Sequence, residues 1–286
     1  MRYEGTVIRP PSEAYSLIVQ VTIGCSHNKC TFCGTFKNEK FRFRALEEVM
    51  EDLRWARAYY RMAERIFLAD ADVLVLKTDY LVKLLDNIHA LFPECNRVSS
   101  YATAQDVLRK TPEDLALLKA RGLGMLYLGA ETGNREILKS VRKGSTREEL
   151  IEAVHKIGTA GMRSSVTFIS GLGGRNMWRE HAVDTGTIIS EMEPDYASLL
   201  TLIVDPCAPL SEDVKNGTFV PLTPEEVLEE TKLLVETIHV KKRCVFRSNH
   251  ASNYLPLRGT LPEDKDALLR QIASAGVLRP ERYRML

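Results

Sequence analysis

Three cysteines fall within nine residues of the sequence, in the stretch GCSHNKCTFCGTF: Cys25, Cys30 and Cys33. Four residues separate the first pair and two separate the second. In a chain of this length, thiols crowded in this way read as metal ligands before they read as disulfide partners. A structural zinc takes four tetrahedral ligands, and the nearest fourth donor, His27, lies inside the same short loop. A [4Fe–4S] cluster is also held by thiolates, commonly four of them, so three would leave one iron open to another ligand. The spacing leaves three readings standing: an open-site iron–sulfur cluster, a zinc site, and thiols without metal. Cys95, Cys207 and Cys244 belong to other parts of the chain.

The elements that must position this loop are legible as short apolar runs alternating with helical patterns. SLIVQVTIG (16–24) reads as a first strand, and the cysteine loop follows it directly. RALEEVMEDLRWARAYY (44–60) has helical spacing of Leu46, Val49, Met50 and Leu53. RIFLAD (65–70) reads as a strand and TDYLVKLLDNIHALF (78–92) as a helix with Thr78 as its N-cap. Strands follow at 96–102, 124–131, 163–171 and 196–204, with helices at 111–122, 145–161 and 177–192 between them. The helix at 145–161 opens on a capping box. A helix at 223–239, a strand at 243–248 and a helix at 263–276 close the chain. Six successive strand–helix units predict a parallel sheet covered by helices, either an open doubly wound sheet or a barrel. In both, functional groups gather at the carboxyl ends of the strands.

Several residues at such ends could carry chemistry. Tyr101 and Gln105 follow the third strand, where Thr103 and Asp106 could equally be helix caps. Glu131 ends the fourth strand, and an N-cap or a salt bridge to Arg142 is the plainer reading of it. Gly171, Gly173 and Gly174 follow the fifth and permit either a turn or close approach of backbone to a ligand. Cys207 follows the sixth, as a reactive thiol or as a small packing residue. Arg247, Asn249, His250, Ser252 and Asn253 cluster within seven residues after the last strand, where they could hold a polar substrate or satisfy their own turns. His155 and His181 sit in helical patterns and read as surface or packing residues, Cys95 and Cys244 as packing residues.

The 286 residues are 44% hydrophobic and 27% charged, with a net charge of +1, enough apolar content for a large core and no general pull toward nucleic acid or anionic membrane. The N-terminal stretch MRYEGTVIRPPSEAYS lacks the apolar centre of a signal peptide. The longest apolar runs fall well short of the about 20 residues a membrane span needs. A soluble cytoplasmic protein is expected.

With these residues in place, the sequence resembles the radical S-adenosylmethionine (radical SAM) superfamily over residues 16–210. The usual cysteine spacing there is three residues and then two, with an aromatic before the last cysteine; this chain has four and then two, with Phe32 at the aromatic position. RIFLADADVLVL resembles the turn that meets the methionine amino group. LYLGAETGNREILKSVRKGST (126–146) resembles the subgroup of oxygen-independent coproporphyrinogen oxidase, the Elongator radical SAM subunit and the methylthiotransferases. VTFISGLGG (166–174) is similar to the turn that passes the adenine. Where that subgroup reads Pro-Gly-Thr-Pro-Leu, this chain reads Pro206-Cys207-Ala208-Pro209-Leu210.

The resemblance implies a partial (βα)6 TIM-type barrel with a C-terminal α/β cap: an extension at 1–15, a core at 16–210 and a capping segment at 211–286. It implies a [4Fe–4S] cluster on Cys25, Cys30 and Cys33, and S-adenosylmethionine contacted by Phe32, Asp70, Glu131, Arg142, Ser170 and Gly171. It implies reductive cleavage of S-adenosylmethionine to a 5′-deoxyadenosyl radical, fed by an external one-electron donor such as flavodoxin or ferredoxin. Tyr101, Arg247, Asn249, His250 and Asn253 are the expected substrate contacts, and Cys207 the expected hydrogen donor to a product radical. The expected substrate is a small polar molecule. The alternatives are a non-catalytic electron-transfer protein and a zinc-stabilised binding module.

Overall fold

A computed structural model describes residues 1–285; Leu286, the last residue of the expected capping segment, lies outside them. The chain divides into two units. The first comprises Met1–Asn28, Thr35–Leu128 and Ala153–Ser164; the second comprises Lys29–Gly34, Gly129–Glu152 and the chain from Ser165 onward.

In chain order the first unit holds β1 (Leu17–Gln20), β2 (Thr22–Ile23), β3 (Arg42–Phe43), α1 (Leu46–Tyr59), β4 (Arg65–Ala69), α2 (Thr78–Leu91), β5 (Arg97–Tyr101), α3 (Ala104–Arg109), α4 (Pro112–Ala120) and most of β6 (Leu123–Glu131). β1, β4, β5 and β6 are hydrogen-bonded in that order, all parallel. Gln20 stands opposite Ala69, and Leu68 opposite Ser100. Val19, Ile66, Phe67, Leu68 and Val98 are fully or almost fully buried, as strands covered on both faces require. Helix α1 turns Val49, Met50, Leu53 and Ala56 inward at helical spacing.

The sequence reading needs correction at several points here. The single strand expected at 16–24 breaks at Val21. Its second half pairs antiparallel with β3, Thr22 opposite Phe43, because the chain returns past it after the cysteine loop. Thr78 is the first residue of α2 rather than its cap; the cap position is Lys77, which makes no side-chain capping bond. Helix α3 has only six residues, too few to show a periodicity; Thr103 caps it, its side chain accepting from the Asp106 N–H at 3.1 Å.

The second unit continues with α5 (Arg135–Ser140), α6 (Arg147–Thr159, whose last turns belong to the first unit), β7 (Arg163–Ser170), α7 (Gly174–Met192), β8 (Tyr196–Thr201), α8 (Leu210–Lys215), α9 (Pro224–Thr237), β9 (Cys244–Ser248), β10 (Leu257–Leu261) and α10 (Lys265–Ala273). β7, β8 and β9 pair in parallel, and β10 pairs antiparallel to β9. The expected capping box opens α6: the Thr146 N–H donates to Glu149 at 2.7 Å and the Glu149 N–H to Thr146 Oγ1 at 3.2 Å. Helix α7 begins at Gly174, ahead of the expected 177, and its φ breaks to −133° at Met177. Strand β10 was not expected; its burial alternates along LRGTL, but Arg258 and Gly259 read as loop. Helix α9 packs along α7, and Gly186 lets it approach: a Cβ there would fall 2.7 Å from the Leu234 carbonyl oxygen. Among the described residues, no helix is long and apolar enough to cross a membrane.

Candidate functional site

Each unit contributes residues picked out by the sequence. In the first, Gly24 takes the left-handed φ of +76° that turns the chain out of β2. Cys25 follows, partly exposed, and accepts a hydrogen bond from the Asn28 N–H at 3.4 Å. Asn28 is itself tied down: its Nδ2 donates to the Phe36 carbonyl at 2.7 Å, and its carbonyl accepts from Lys37 Nζ at 2.9 Å. Ser26 donates to Asp72 Oδ2 at 2.5 Å, which pins the loop to the chain leaving β4.

Asp70 and Asp72 are both buried there, and one oxygen of each, Oδ1, has no hydrogen-bond partner among the described residues. Asp70 Oδ2 accepts from Gln20 Nε2 at 2.8 Å. Burial pushes the Asp70 carboxyl up to about 6, the Gln20 hydrogen bond working against the shift and the Glu39 charge adding to it. Asp72 goes well above the carboxylate range, first through burial and then through the neighbouring Asp106 carboxyl.

Tyr101, half-buried at the end of β5, packs edge-on against Phe67 and Tyr127, with centroids 5.1 and 6.0 Å away. Burial raises its phenol. Tyr127 donates to Glu13, a fully buried carboxylate that Arg97 also engages at 2.8 Å.

In the second unit, Cys30 and Cys33 lie on a segment held at both edges. The Thr31 N–H donates to the Val141 carbonyl at 3.0 Å, and the Thr31 carbonyl accepts from the Leu210 N–H at 2.8 Å. Between the two cysteines, Phe32 packs on Ile137, Val141 and Leu172. Gly34 is a cradle: a Cβ there would fall 2.2 Å from Asp205 Oδ2. Asp205 also accepts from the Cys207 N–H at 2.7 Å, leaving the Cys207 thiol exposed. The alternative of Cys207 as a buried packing residue is thereby corrected: the tight turn turns it outward.

Glu131 ends β6 at a left-handed φ of +68°, with Lys143 Nζ 2.7 Å from its Oε1. Gly129 leaves room for that pair; a Cβ there would fall 2.0 Å from Glu131 Oε1. Arg142 is likewise left-handed, at φ +54°. Non-glycine residues in that region are uncommon and cluster at functional sites. Ser170 ends β7 and Gly171 follows it, and both donate to the carboxylate of Glu230.

The polar run after β9 divides. Asn253 turns inward and spends its amide on β8, Oδ1 accepting from Thr201 Oγ1 at 2.9 Å and Nδ2 donating to the Leu199 carbonyl at 2.9 Å. Arg247 donates to the Phe246 and Gly259 carbonyls. His250 Nδ1 accepts the Ser252 N–H at 3.1 Å; its pKa is lowered by burial and by Arg279, so it is neutral at pH 7. Asn249 is exposed.

Cys95 and Cys244 are buried, as expected, and burial raises both thiols, Cys244 to about 12. His181 is not a plain packing residue: it is fully buried with its Nδ1 2.9 Å from Glu230. Glu230, Glu13 and Asp205 went unread in the sequence. The signal for Glu230 was present, since a carboxylate sits on the inward stripe of Val227, Thr231 and Leu234. Glu13 ends a three-residue 3₁₀ turn and Asp205 lies on a loop, and neither leaves a periodicity.

The donor set suits an iron–sulfur cluster. Among the described residues, which include all six cysteines, no disulfide forms, and no three His, Cys, Asp or Glu side chains gather as ligands of a single ion. The three free thiols of the loop are donors of the kind that hold such clusters. In the first unit, buried Asp70 keeps one carboxylate oxygen without a partner among the described residues, which suits a ligand that donates a hydrogen bond.

Comparison with known proteins agrees. The chain is 29% identical over 162 residues to a bacteriochlorophyllide d C-12(1)-methyltransferase of Chlorobaculum tepidum, covering 53% of this chain and 34% of that one. It is 25% identical over 248 residues to a tRNA-2-methylthio-N(6)-dimethylallyladenosine synthase of Oceanobacillus iheyensis, covering 82% and 42%. The chain thus spans between a third and a half of the length of these relatives. The solved structure of coproporphyrinogen III oxidase from Escherichia coli superposes with a TM-score of 0.59 at 18% identity, over 77% of this chain and 52% of that one. That likeness shows the fold: of the two architectures the strand–helix alternation left open, it is the partial TIM-type barrel that the family resemblance implied. The family model of the Radical SAM superfamily matches residues 19–185, more than half of the sequence. The chain therefore belongs to the radical SAM superfamily, enzymes that cleave S-adenosylmethionine with a [4Fe–4S] cluster.

Proposed function

We propose that this chain uses S-adenosylmethionine cleavage to abstract hydrogen from a small polar substrate, with Cys25, Cys30 and Cys33 as the protein ligands of the cluster. The three-cysteine motif at the head of the matched residues carries this reading. When bound, the cluster and S-adenosylmethionine supply one-electron cleavage of a carbon–sulfur bond and a 5′-deoxyadenosyl radical.

The chain's own residues bind, orient and exclude water. The Asn28 N–H donates to Cys25, and hydrogen bonds to cluster sulfurs are one of the means by which a protein sets the reduction potential. Phe32 anchors the segment carrying Cys30 and Cys33 by burying its ring, a contribution of about 1.5–3 kcal/mol if complete. Glu131, oriented by Lys143, offers a carboxylate to the methionine ammonium. Arg142 faces the methionine carboxylate, Asp70 offers its unpartnered oxygen to the amino group, and the Ser170–Gly171 turn meets the adenine. Tyr101, Asn249 and His250 remain the proposed substrate contacts, with Arg247 and Asn253 acting through the backbone they hold. Cys207 presents an accessible thiol as hydrogen donor. An external flavodoxin or ferredoxin supplies the electron.

Anaerobic reconstitution tests the reading. About four iron and four sulfide per chain are expected, together with formation of 5′-deoxyadenosine from S-adenosylmethionine under reduction. Cys30→Ala should lose both cluster and cleavage. A Cys30→Ala protein that retains the cluster and turns over at the wild-type rate refutes the ligand assignment; a wild-type cluster without cleavage supports electron transfer instead, and stoichiometric zinc a binding module.

A further inference from the structure

We propose that Glu230, on α9 and outside the residues matched by the family, is a positioning residue for S-adenosylmethionine, with His181 as its orienting partner. The proposal rests on the reading that the turn at Ser170 and Gly171 meets the adenine. Ser170, His181 and Glu230 are all fully buried. One oxygen of Glu230 accepts from the Gly171 N–H at 2.7 Å and from the Ser170 hydroxyl; the other lies 2.9 Å from His181 Nδ1. A carboxylate only accepts, so all three neighbours donate, and the imidazole proton on that side sits on Nδ1. His181 Nε2 has no partner among the described residues.

A buried carboxylate is a poor way to stabilise a helix contact. Apolar residues of the same volume usually serve as well or better, and the rest of the inward face of α9 includes Val227, Leu234 and Val235. What the carboxylate adds is direction. Gly171 is left-handed, at φ +84°, and its N–H points at Glu230. On the other side of the same turn, the Ser170 carbonyl accepts from the Leu202 N–H at 2.9 Å. The 170–171 peptide plane is therefore clamped between α9 and the end of β8. His181 fixes the far side of the carboxylate, and Gly173 allows it to: a Cβ there would fall 3.0 Å from His181 Cβ.

The test uses cluster-reconstituted protein, with S-adenosylmethionine and methionine as separate probes. Glu230→Leu removes the acceptor while keeping the volume. Its Kd and KM for S-adenosylmethionine should rise about tenfold or more, with kcat at saturation within about threefold and methionine binding unchanged, since methionine lacks the adenosine. Glu230→Gln should restore the affinity to within about threefold: its Oε1 can stay on Gly171 and Ser170 while its amide donates to the other His181 tautomer. If Glu230→Leu fails to fold, His181→Phe takes its place, with an expected rise of about threefold. A Kd within twofold of wild type in the folded variant overturns the proposal, as does an equal loss of methionine binding, which would mark a general structural role. Wild-type protein that binds methionine but gains no affinity from the adenosine refutes the adenine reading of the turn instead.

Discussion

Asp70→Asn should make the protein more stable at neutral pH than at acid pH, relative to wild type. Asp70 is 1% exposed, and its carboxyl is raised from 3.8 to about 6. A carboxyl with a raised folded pKa binds its proton more tightly folded than unfolded. Its ionisation therefore opposes folding in full above about pH 6, and the penalty fades as pH falls through 6 toward 3.8. A shift of about two units corresponds to about 3 kcal/mol at pH 8, and linkage leaves about half of that at pH 5. Asparagine abolishes the titration but puts an amide N–H where Oδ1 has no partner, at a cost of about 1–3 kcal/mol. That cost is the same at both pH values, so the difference between them isolates the charge. Differential scanning fluorimetry of variant and wild type, without S-adenosylmethionine, reads it. The variant's Tm advantage should be about 3–6 °C larger at pH 8 than at pH 5. An advantage that is the same at the two pH values would show that the buried carboxylate carries no ionisation penalty. Such a penalty is what a residue kept for binding rather than stability carries.

Gly133→Ala tests the packing that holds Glu131. A Cβ there would fall 2.0 Å from the Asp184 carbonyl oxygen of α7, where real contacts stay beyond 3.0 Å. Backbone must move, at about 3 kcal/mol, so Tm should drop by about 6–12 °C; an unchanged melting curve refutes the close approach. Cys207→Ser should leave the iron content of reconstituted protein unchanged, because the thiol faces solvent; a loss of iron would make Cys207 a fourth ligand.

The sequence alone determined the class of the protein, because that information is local. Cysteine spacing, the aromatic at position 32 and the alternation of apolar strands with amphipathic helices are all carried by neighbouring residues, and the alternation follows wherever parallel strands are buried under helices. The Thr146 capping box was legible for the same reason. Tertiary structure decided what depends on partners distant in sequence. His181 looked like a packing residue until α9 brought Glu230 against it, 49 positions away. Asn253 looked like a substrate contact until β8 took both ends of its amide. The break at Val21 follows from a pairing with residues beyond the cysteine loop. Hydrogen-bond satisfaction of a buried polar group is a property of everything packed around it, and no window of sequence contains its partners.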